Sequence, residues 1–269
     1  MNVLVTLNSS YIRPLKVMLK SLFLSNTEER FCIYLMQSSL TPQELEDVRE
    51  YIEMHGSRLE VITLDNSCFT DAPVLLHYTK EMYYRLLAFK FLPRDMDRIL
   101  YLDPDILVIN KVGNLYETDL EGYLYAAAYH DVISVKEFNK LRLNSYDMDA
   151  YYNSGVLLMN LRLQREQVEE QAIYEFVEKN KVKLIMPDQD ILNALYAKKI
   201  LGLDEKLYNY DARFYRYYKL TSNGLWDMDH VIRNTVFIHF CGKKKPWNKD
   251  YTGRFQSLYK HFERLAYPD

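Results

Sequence analysis

Ile99-Leu100-Tyr101-Leu102-Asp103-Pro104-Asp105-Ile106-Leu107-Val108 is the stretch on which the reading of the fold turns. Four apolar residues run into Asp-Pro-Asp, and a second apolar run follows. A run of this kind fits a strand buried on both faces of a parallel sheet. Side chains at i and i+2 of a strand share a side, so Asp103 and Asp105 are expected to project together. Pro104 has no N–H to donate and holds the residue before it extended, which suits the end of a strand. Two neighbouring carboxylates repel unless a cation lies between them. A metal site is therefore one reading and a pair of solvated turn carboxylates the other. The spacing alone decides nothing, because Asp-x-Asp occurs five times, at Asp95/Asp97, Asp103/Asp105, Asp147/Asp149, Asp188/Asp190 and Asp227/Asp229. Only Asp103/Asp105 joins two apolar runs directly.

Outward from this stretch, strands and helices alternate. Val3–Leu7, Phe31–Met36 and Leu59–Leu64 read as buried strands. Between them a helix opened by Pro14 lines up Leu15, Met18, Leu19, Leu22 and Phe23 on one face. A second helix starts at the capping box Thr41-Pro42-Gln43-Glu44 and stops near Gly56. A third, from Lys80 to Leu92, carries Met82, Leu86 and Phe89 and leads into the opening stretch as strand four. This alternation predicts a doubly wound parallel sheet that binds ligands at the carboxyl ends of its strands. Asn8–Tyr11 and Asp103–Asp105 both fall at such ends and are expected to share one crevice. The second half is less regular. Strands are expected at Leu124–Tyr129, Gly155–Asn160 and Val236–Phe240, with helices over Gln164–Asn180, after Pro187 and from about Thr252.

With 269 residues, 48% hydrophobic and 26% charged, the chain can bury a substantial core. The pattern predicts one compact α/β domain over 1–269. Within it 1–109 and 110–250 are two successive halves, and 251–269 is a C-terminal helix. A net charge of −3 argues against general nucleic-acid binding. No apolar run reaches the roughly 18–20 residues that span a bilayer. The start, Met1-Asn2-Val3-Leu4-Val5, lacks the basic and apolar regions of a signal peptide. Cys32, Cys68 and Cys241 are far apart and lack metal-site spacing, which suits a reducing, cytoplasmic setting. Tyrosine is abundant, 24 against 12 phenylalanines, and its aromatic face with a polar tip suits sugars as well as half-buried packing.

If Asp103 and Asp105 hold a metal, their oxygens suit Mg2+ or Mn2+, and an imidazole favours Mn2+. His239, ending a short apolar strand before a glycine turn, is the candidate third ligand. Gly242 permits close backbone approach, and Lys245 can meet an anion. A divalent ion and two carboxylates nearly cancel, so a bound diphosphate needs further cations. Arg85 and Lys245 can supply them, with Lys243 and Lys244 as outer charge. These groups describe a metal–diphosphate site without saying which diphosphate it takes.

The chain resembles the family 8 glycosyltransferases, which include bacterial lipopolysaccharide galactosyl- and glucosyltransferases and glycogenin. The likeness is carried in order by Tyr83-Tyr84-Arg85-Leu86, Tyr101-Leu102-Asp103-Pro104-Asp105, Tyr152-Asn153-Ser154-Gly155-Val156-Leu157-Leu158-Met159-Asn160, Pro187-Asp188-Gln189-Asp190 and His239-Phe240-Cys241-Gly242-Lys243-Lys244-Lys245-Pro246-Trp247. It implies a GT-A fold with a Rossmann-like nucleotide-binding sheet in the half 1–109 and a mixed second half, 110–250, for the sugar and acceptor. It further implies a Mn2+ (or Mg2+) site, a UDP-sugar donor such as UDP-galactose or UDP-glucose, and transfer with retention to a saccharide, glycolipid or protein-linked glycan. On this resemblance Asp103, Asp105 and His239 hold the metal, and Gly242 and Lys245 bind the diphosphate. Arg85, Asn153, Asp188 and Gln189 contact the donor sugar, with Gln189 nearest the anomeric carbon and Asp188 beside it as the second catalytic candidate. Thr6, Asn8 and Tyr11 lie on the nucleotide side, Tyr11 stacking on uracil. Asn8 and Ser10 depart from the Asp and Asn common in the family, and Asn8 is expected to accept from the uracil N3–H and also to donate. Gln189 is a poor nucleophile, so front-face attack is expected, with the leaving phosphate oxygen taking the acceptor proton. Contact with the inner face of a membrane would suit a glycolipid acceptor. The residues alone leave open a metal-dependent phosphatase or nucleotide-sugar hydrolase, or a sugar-binding protein without catalysis. Tyr208, Tyr210, Phe214, Tyr215, Tyr217 and Tyr218 can line an acceptor groove or serve as core and rim.

Overall fold

The computed structural model describes residues 1–64, 83–129, 133–143 and 149–268. Its strands are Asn2–Thr6 (β1), Cys32–Gln37 (β2), Arg58–Thr63 (β3), Arg98–Leu102 (β4), Ile106–Val108 (β5), Tyr125–Ala128 (β6), Val156–Asn160 (β7), Ile200–Leu203 (β8), Tyr210–Asp211 (β9) and Phe237–His239 (β10). One sheet runs in the order β3-β2-β1-β4-β7-β6-β8 and a second in the order β5-β10-β9. Strands β1 to β4 are parallel. β7 then lies antiparallel to both β4 and β6, and β8 returns parallel to β6. The first half is thus doubly wound and the second mixed, as expected.

The period-two pattern of the strands builds two cores. Leu4 of β1 and Tyr101 of β4 join a cluster on one face of the large sheet. Val3, Val5, Leu100 and Leu102 join the cluster on the other. A third cluster, around Tyr210, Ile238 and Phe240, packs the small sheet against the C-terminal helix Gln256–Ala266. The capping box forms as expected: Thr41 Oγ1 accepts from the Glu44 N–H, and Glu44 accepts from the Thr41 N–H at 2.8 Å. No helix among the described residues is long and apolar enough to cross a membrane.

Several elements differ from expectation. The Lys80–Leu92 helix is shorter: among the described residues it is one turn at Tyr84–Leu87 followed by a tight turn at Ala88–Lys90, and Met82 lies outside the described residues. The single helix over Gln164–Asn180 is two, Leu161–Gln167 and Glu170–Asn180. Asn160 caps the first of these, and buried Val168 turns extended between them, so core packing overrides helical continuity. β8 and β9, short and weakly patterned, were not expected as strands.

The opening stretch also divides. Pro104 and Asp105 carry the chain out of the large sheet, and Ile106–Val108 pairs antiparallel with β10 in the small one. In that register His239 lies opposite Ile106. Asp105 and His239 are brought together by backbone pairing, not by side-chain reach alone.

Candidate active site

Strand order reverses between β1 and β4: β2 and β3 follow on one side, β4 on the other. In such sheets the crevice beyond the carboxyl ends at this switch point is where ligands bind. Asn8–Tyr11 leaves β1 there and Asp103–Asp105 leaves β4, so the two stretches share the crevice as expected.

One ligand atom each from Asp103, Asp105 and His239 lies within 4.8 Å of the others. His239 Nε2 stands 3.2 Å from Asp105 Oδ1 and 3.9 Å from Asp103 Oδ2. The other ring nitrogen, Nδ1, donates to Asn209 Oδ1 at 2.8 Å, which fixes the ring and aims Nε2 at the carboxylates. Burial works against a charged ring, yet Cys241 and the Asp105 carboxylate hold its pKa well above the usual imidazole range. Burial likewise opposes ionisation of Asp105, but His239 and Lys245 keep its carboxyl below the ordinary range. Gly155 forms the floor. A Cβ there would meet His239 Cε1, Asp103 Oδ2 and Asn153 Oδ1. Two carboxylates and one imidazole with an oriented tautomer are a donor set that fits Mn2+ or Mg2+.

Arg85 ties this cluster to the next. Its guanidinium lies 3.0 Å from Asp103 Oδ1 and 3.0 Å from Asp188 Oδ2, with its carbon 4.5 Å from the centroid of the Tyr101 ring. Burial opposes its charge, but Asp103, Tyr101 and Asp188 more than compensate, and its pKa is raised. Asp188 also accepts from Ser154 Oγ at 2.9 Å. Gln189, next in the helix Pro187–Tyr196, is buried and accepts from the Ser154 N–H at 3.3 Å. Asn153 accepts from the Gly155 N–H at 2.8 Å. Asn193 braces the segment, accepting from the Tyr152 N–H and donating to the Tyr152 and Gln189 carbonyls.

Asp190, two residues after Asp188, points elsewhere. It is fully buried, pairs with both terminal nitrogens of Arg142, and accepts from Tyr151 and from the Ile185 and Met186 N–H groups. It anchors the helix start.

Lys245 reaches back to Asp105 and to the Phe240 carbonyl at 2.9 Å. Gly242 makes this return possible: its φ of +85° is the left-handed conformation, and a Cβ would stand 2.8 Å from Arg213. Tyr11 packs edge-on against Trp247 at 5.9 Å. Burial raises its pKa, and the charges that act on it are Lys245, Asp105 and Asp103. Asn8 caps its own turn: Oδ1 accepts from the Ser10 N–H and Oγ, so both its acceptor directions are used. Thr6 touches Tyr101, 3.1 Å from its hydroxyl, which in turn donates to Asp103 at 2.6 Å.

A cavity of about 560 Å³ opens beside Gln189 and Asn153, walled by Phe214, Tyr217 and Tyr218 and by Cys241 and Gly242. The tyrosine-rich stretch is therefore split: Phe214 and Tyr217 are exposed on the cavity wall, whereas Tyr210 and Tyr215 are buried in the third core cluster. Sequence reasoning missed Gly155, Ser154, Tyr101 and Asn209 as parts of the site. The first three stood inside recognised motifs; Asn209, between two tyrosines, carried no signal.

A model of the family described as "Glycosyl transferase family 8" matches residues 2–251. The chain is 26% identical to General stress protein A of Bacillus subtilis, over 97% of this chain and 92% of that one. It is also 26% identical to a lipopolysaccharide 1,2-glucosyltransferase of Escherichia coli K12, over 93% of this chain and 73% of that one. Among solved structures it is similar to the galactosyltransferase LgtC in complex with donor and acceptor sugar analogues. That likeness has a TM-score of 0.82 at 23% identity and covers 98% of this chain and 96% of that one.

Proposed function

Since the chain belongs to glycosyl transferase family 8, we propose that it moves a hexose, galactose or glucose, from its UDP-sugar to a hydroxyl of a saccharide, glycolipid or protein-linked glycan, with retention. The observation that carries this reading is the Asp103–Asp105–His239 cluster set beside Arg85, Lys245 and a sugar-sized cavity that Gln189 and Asn153 enter. A lipopolysaccharide 1,2-glucosyltransferase among its relatives supports a saccharide or glycolipid acceptor, and a place in the cytoplasm at the inner face of a membrane would suit such an acceptor.

Asp103, Asp105 and His239 would hold the Mn2+ or Mg2+. When bound, such an ion supplies Lewis-acid stabilisation of charge on the departing diphosphate. Lys245 adds an ammonium to the same anion, moving from Asp105 to phosphate at little cost because both partners are oxyanions. Arg85 holds Asp103 and Asp188 in fixed relation, and Asp188 is already committed to Arg85 and Ser154. A carboxylate engaged in this way orients sugar hydroxyls; it is not free to attack an anomeric carbon. Gln189 presents a neutral amide, so the acceptor hydroxyl attacks from the front face and its proton passes to the leaving phosphate oxygen. Asn8, whose oxygen is taken up by Ser10, offers its amide N–H groups, and a uracil carbonyl is the group these can meet.

The test is a thermal-shift panel of nucleotide sugars with and without Mn2+. A ligand at 100 times its Kd adds about 2.7 kcal/mol. UDP-galactose or UDP-glucose with Mn2+ should stabilise the protein and Asp105→Asn should abolish the effect. Equal shifts in the variant would remove the metal assignment, and no shift with any UDP-sugar would remove the donor.

A further inference from the structure

Gly242 also borders a second cavity, of about 600 Å³. Arg213, Arg216, Lys243, Lys244 and Arg254 line it, and none of its described lining residues is acidic. Such a concentration is not a reflection of composition, since the chain as a whole is net negative. Arg213 is neutralised by buried Asp211, to which Nε and Nη2 donate at 2.9 and 2.6 Å. Arg216, Lys243, Lys244 and Arg254 make no salt bridge with any described residue. Arg254 is nonetheless held in place, its guanidinium 4.7 Å from the centroid of the Tyr215 ring, which leaves the N–H edge available. Four uncompensated cations around one concavity focus a positive field and draw in an anion.

The two cavities share walls. Arg213, Cys241 and Gly242 line this one and also the aromatic cavity that Gln189 and Asn153 enter. Lys245, Asp103, Asp105 and His239 are not on the walls of the basic cavity, which meets the proposed cradle for the donor diphosphate at Gly242. We propose that the acceptor carries an oxyanion, a phosphate or carboxylate substituent, which seats among Arg216, Lys243, Lys244 and Arg254 while its sugar occupies the aromatic cavity. Naming the ligand an acceptor rests on the glycosyltransfer reading; the preference for an anion does not.

The experiment is calorimetric titration of the protein, saturated with UDP and Mn2+, with glucose 6-phosphate, glucose and inorganic phosphate. Glucose 6-phosphate should bind about tenfold or more tighter than glucose, and its affinity should fall with added salt. The double variant R216A/R254A should erase that preference with its UDP affinity unchanged, and R216K/R254K should restore most of it. Equal binding of glucose and glucose 6-phosphate, or a double variant that binds the sugar phosphate like wild type, would overturn the proposal. Inorganic phosphate binding as tightly as the sugar phosphate would overturn the acceptor assignment. In a second arm, phosphatidylglycerol vesicles replace the sugar phosphate; binding that glucose 6-phosphate displaces and R216A/R254A removes would place the oxyanion on a lipid headgroup. The sugar-phosphate titration is repeated without UDP and Mn2+, so failure of UDP to bind counts against the donor reading alone.

Discussion

A Cβ built on Gly155 would stand 2.4 Å from Cε1 of His239 and 2.7 Å from Oδ2 of Asp103. The imidazole and the carboxylate converge over this residue because it has no side chain. Gly155→Ala must therefore displace one ligand or the other. Its backbone conformation is not the glycine-only kind, and its carbonyl still accepts from the Asp103 N–H, so the sheet should survive. The expected outcome is a loss of Mn2+ affinity of about 10–100-fold with an unchanged circular dichroism spectrum. Unchanged affinity by calorimetry would mean that His239 is not held to the site in the way its position indicates.

Asp188 and Asp190, two residues apart, should separate function from stability. Asp190 is fully buried against Arg142, and removing one partner of such a pair strands the other. Asp190→Asn is expected to cost about 3–5 kcal/mol of stability, read as a lowered urea midpoint. Asp188 is partly exposed in the crevice, and Asp188→Asn should leave the urea midpoint nearly unchanged while removing sugar transfer. The reverse pattern would exchange the roles assigned to the two carboxylates.

Much of the site was legible because its parts sit at strand ends, where an apolar run stops and polar chemistry begins. Asp103, Asp105 and His239 all showed that pattern. Those strand ends and the family likeness made their convergence an expectation, but its cause was not legible: β5 leaves the large sheet to pair with β10, a long-range register that no local pattern encodes. Val168 shows the same limit in the fold: its neighbours favour one continuous helix, and burial of a single side chain breaks it. Asn209 positions His239 from a short turn with no periodicity at all.

Glu263 gives a pH dependence away from the site. Burial would raise its pKa, but hydrogen bonds from Lys260 and Arg13 hold it below the usual carboxylate range. A folded value below the unfolded one means that the stabilisation is fully present above the unfolded pKa and fades as pH falls through the folded one. Its contact with Arg13 pins the C-terminal helix to the helix Ile12–Ser25, and because Arg13 is largely exposed the contribution is about 1 kcal/mol or less. Glu263→Gln should lower the melting temperature slightly at neutral pH and make the acid limb of the stability curve shallower. Parallel curves for variant and wild type across the acid range would deny Glu263 this part.

Tyr101 joins Thr6 to Asp103, and the order of the hydrogen bonds makes a specific claim. The Tyr101 hydroxyl donates to Asp103, so it must accept from Thr6 Oγ1. Tyr101→Phe removes a fully buried hydroxyl, leaving Asp103 Oδ1 to Arg85 alone and Thr6 without its acceptor. Metal affinity should fall by about 10–100-fold, with UDP affinity in the absence of metal unchanged. Thr6→Val alone should lower metal affinity less, because Tyr101 can still donate to the carboxylate. If Thr6 acts only through this relay, adding Thr6→Val to Tyr101→Phe changes nothing further in the Mn2+ titration. A further loss of UDP affinity in the double variant would show that Thr6 also touches the nucleotide directly, and the relay would then be only part of its role.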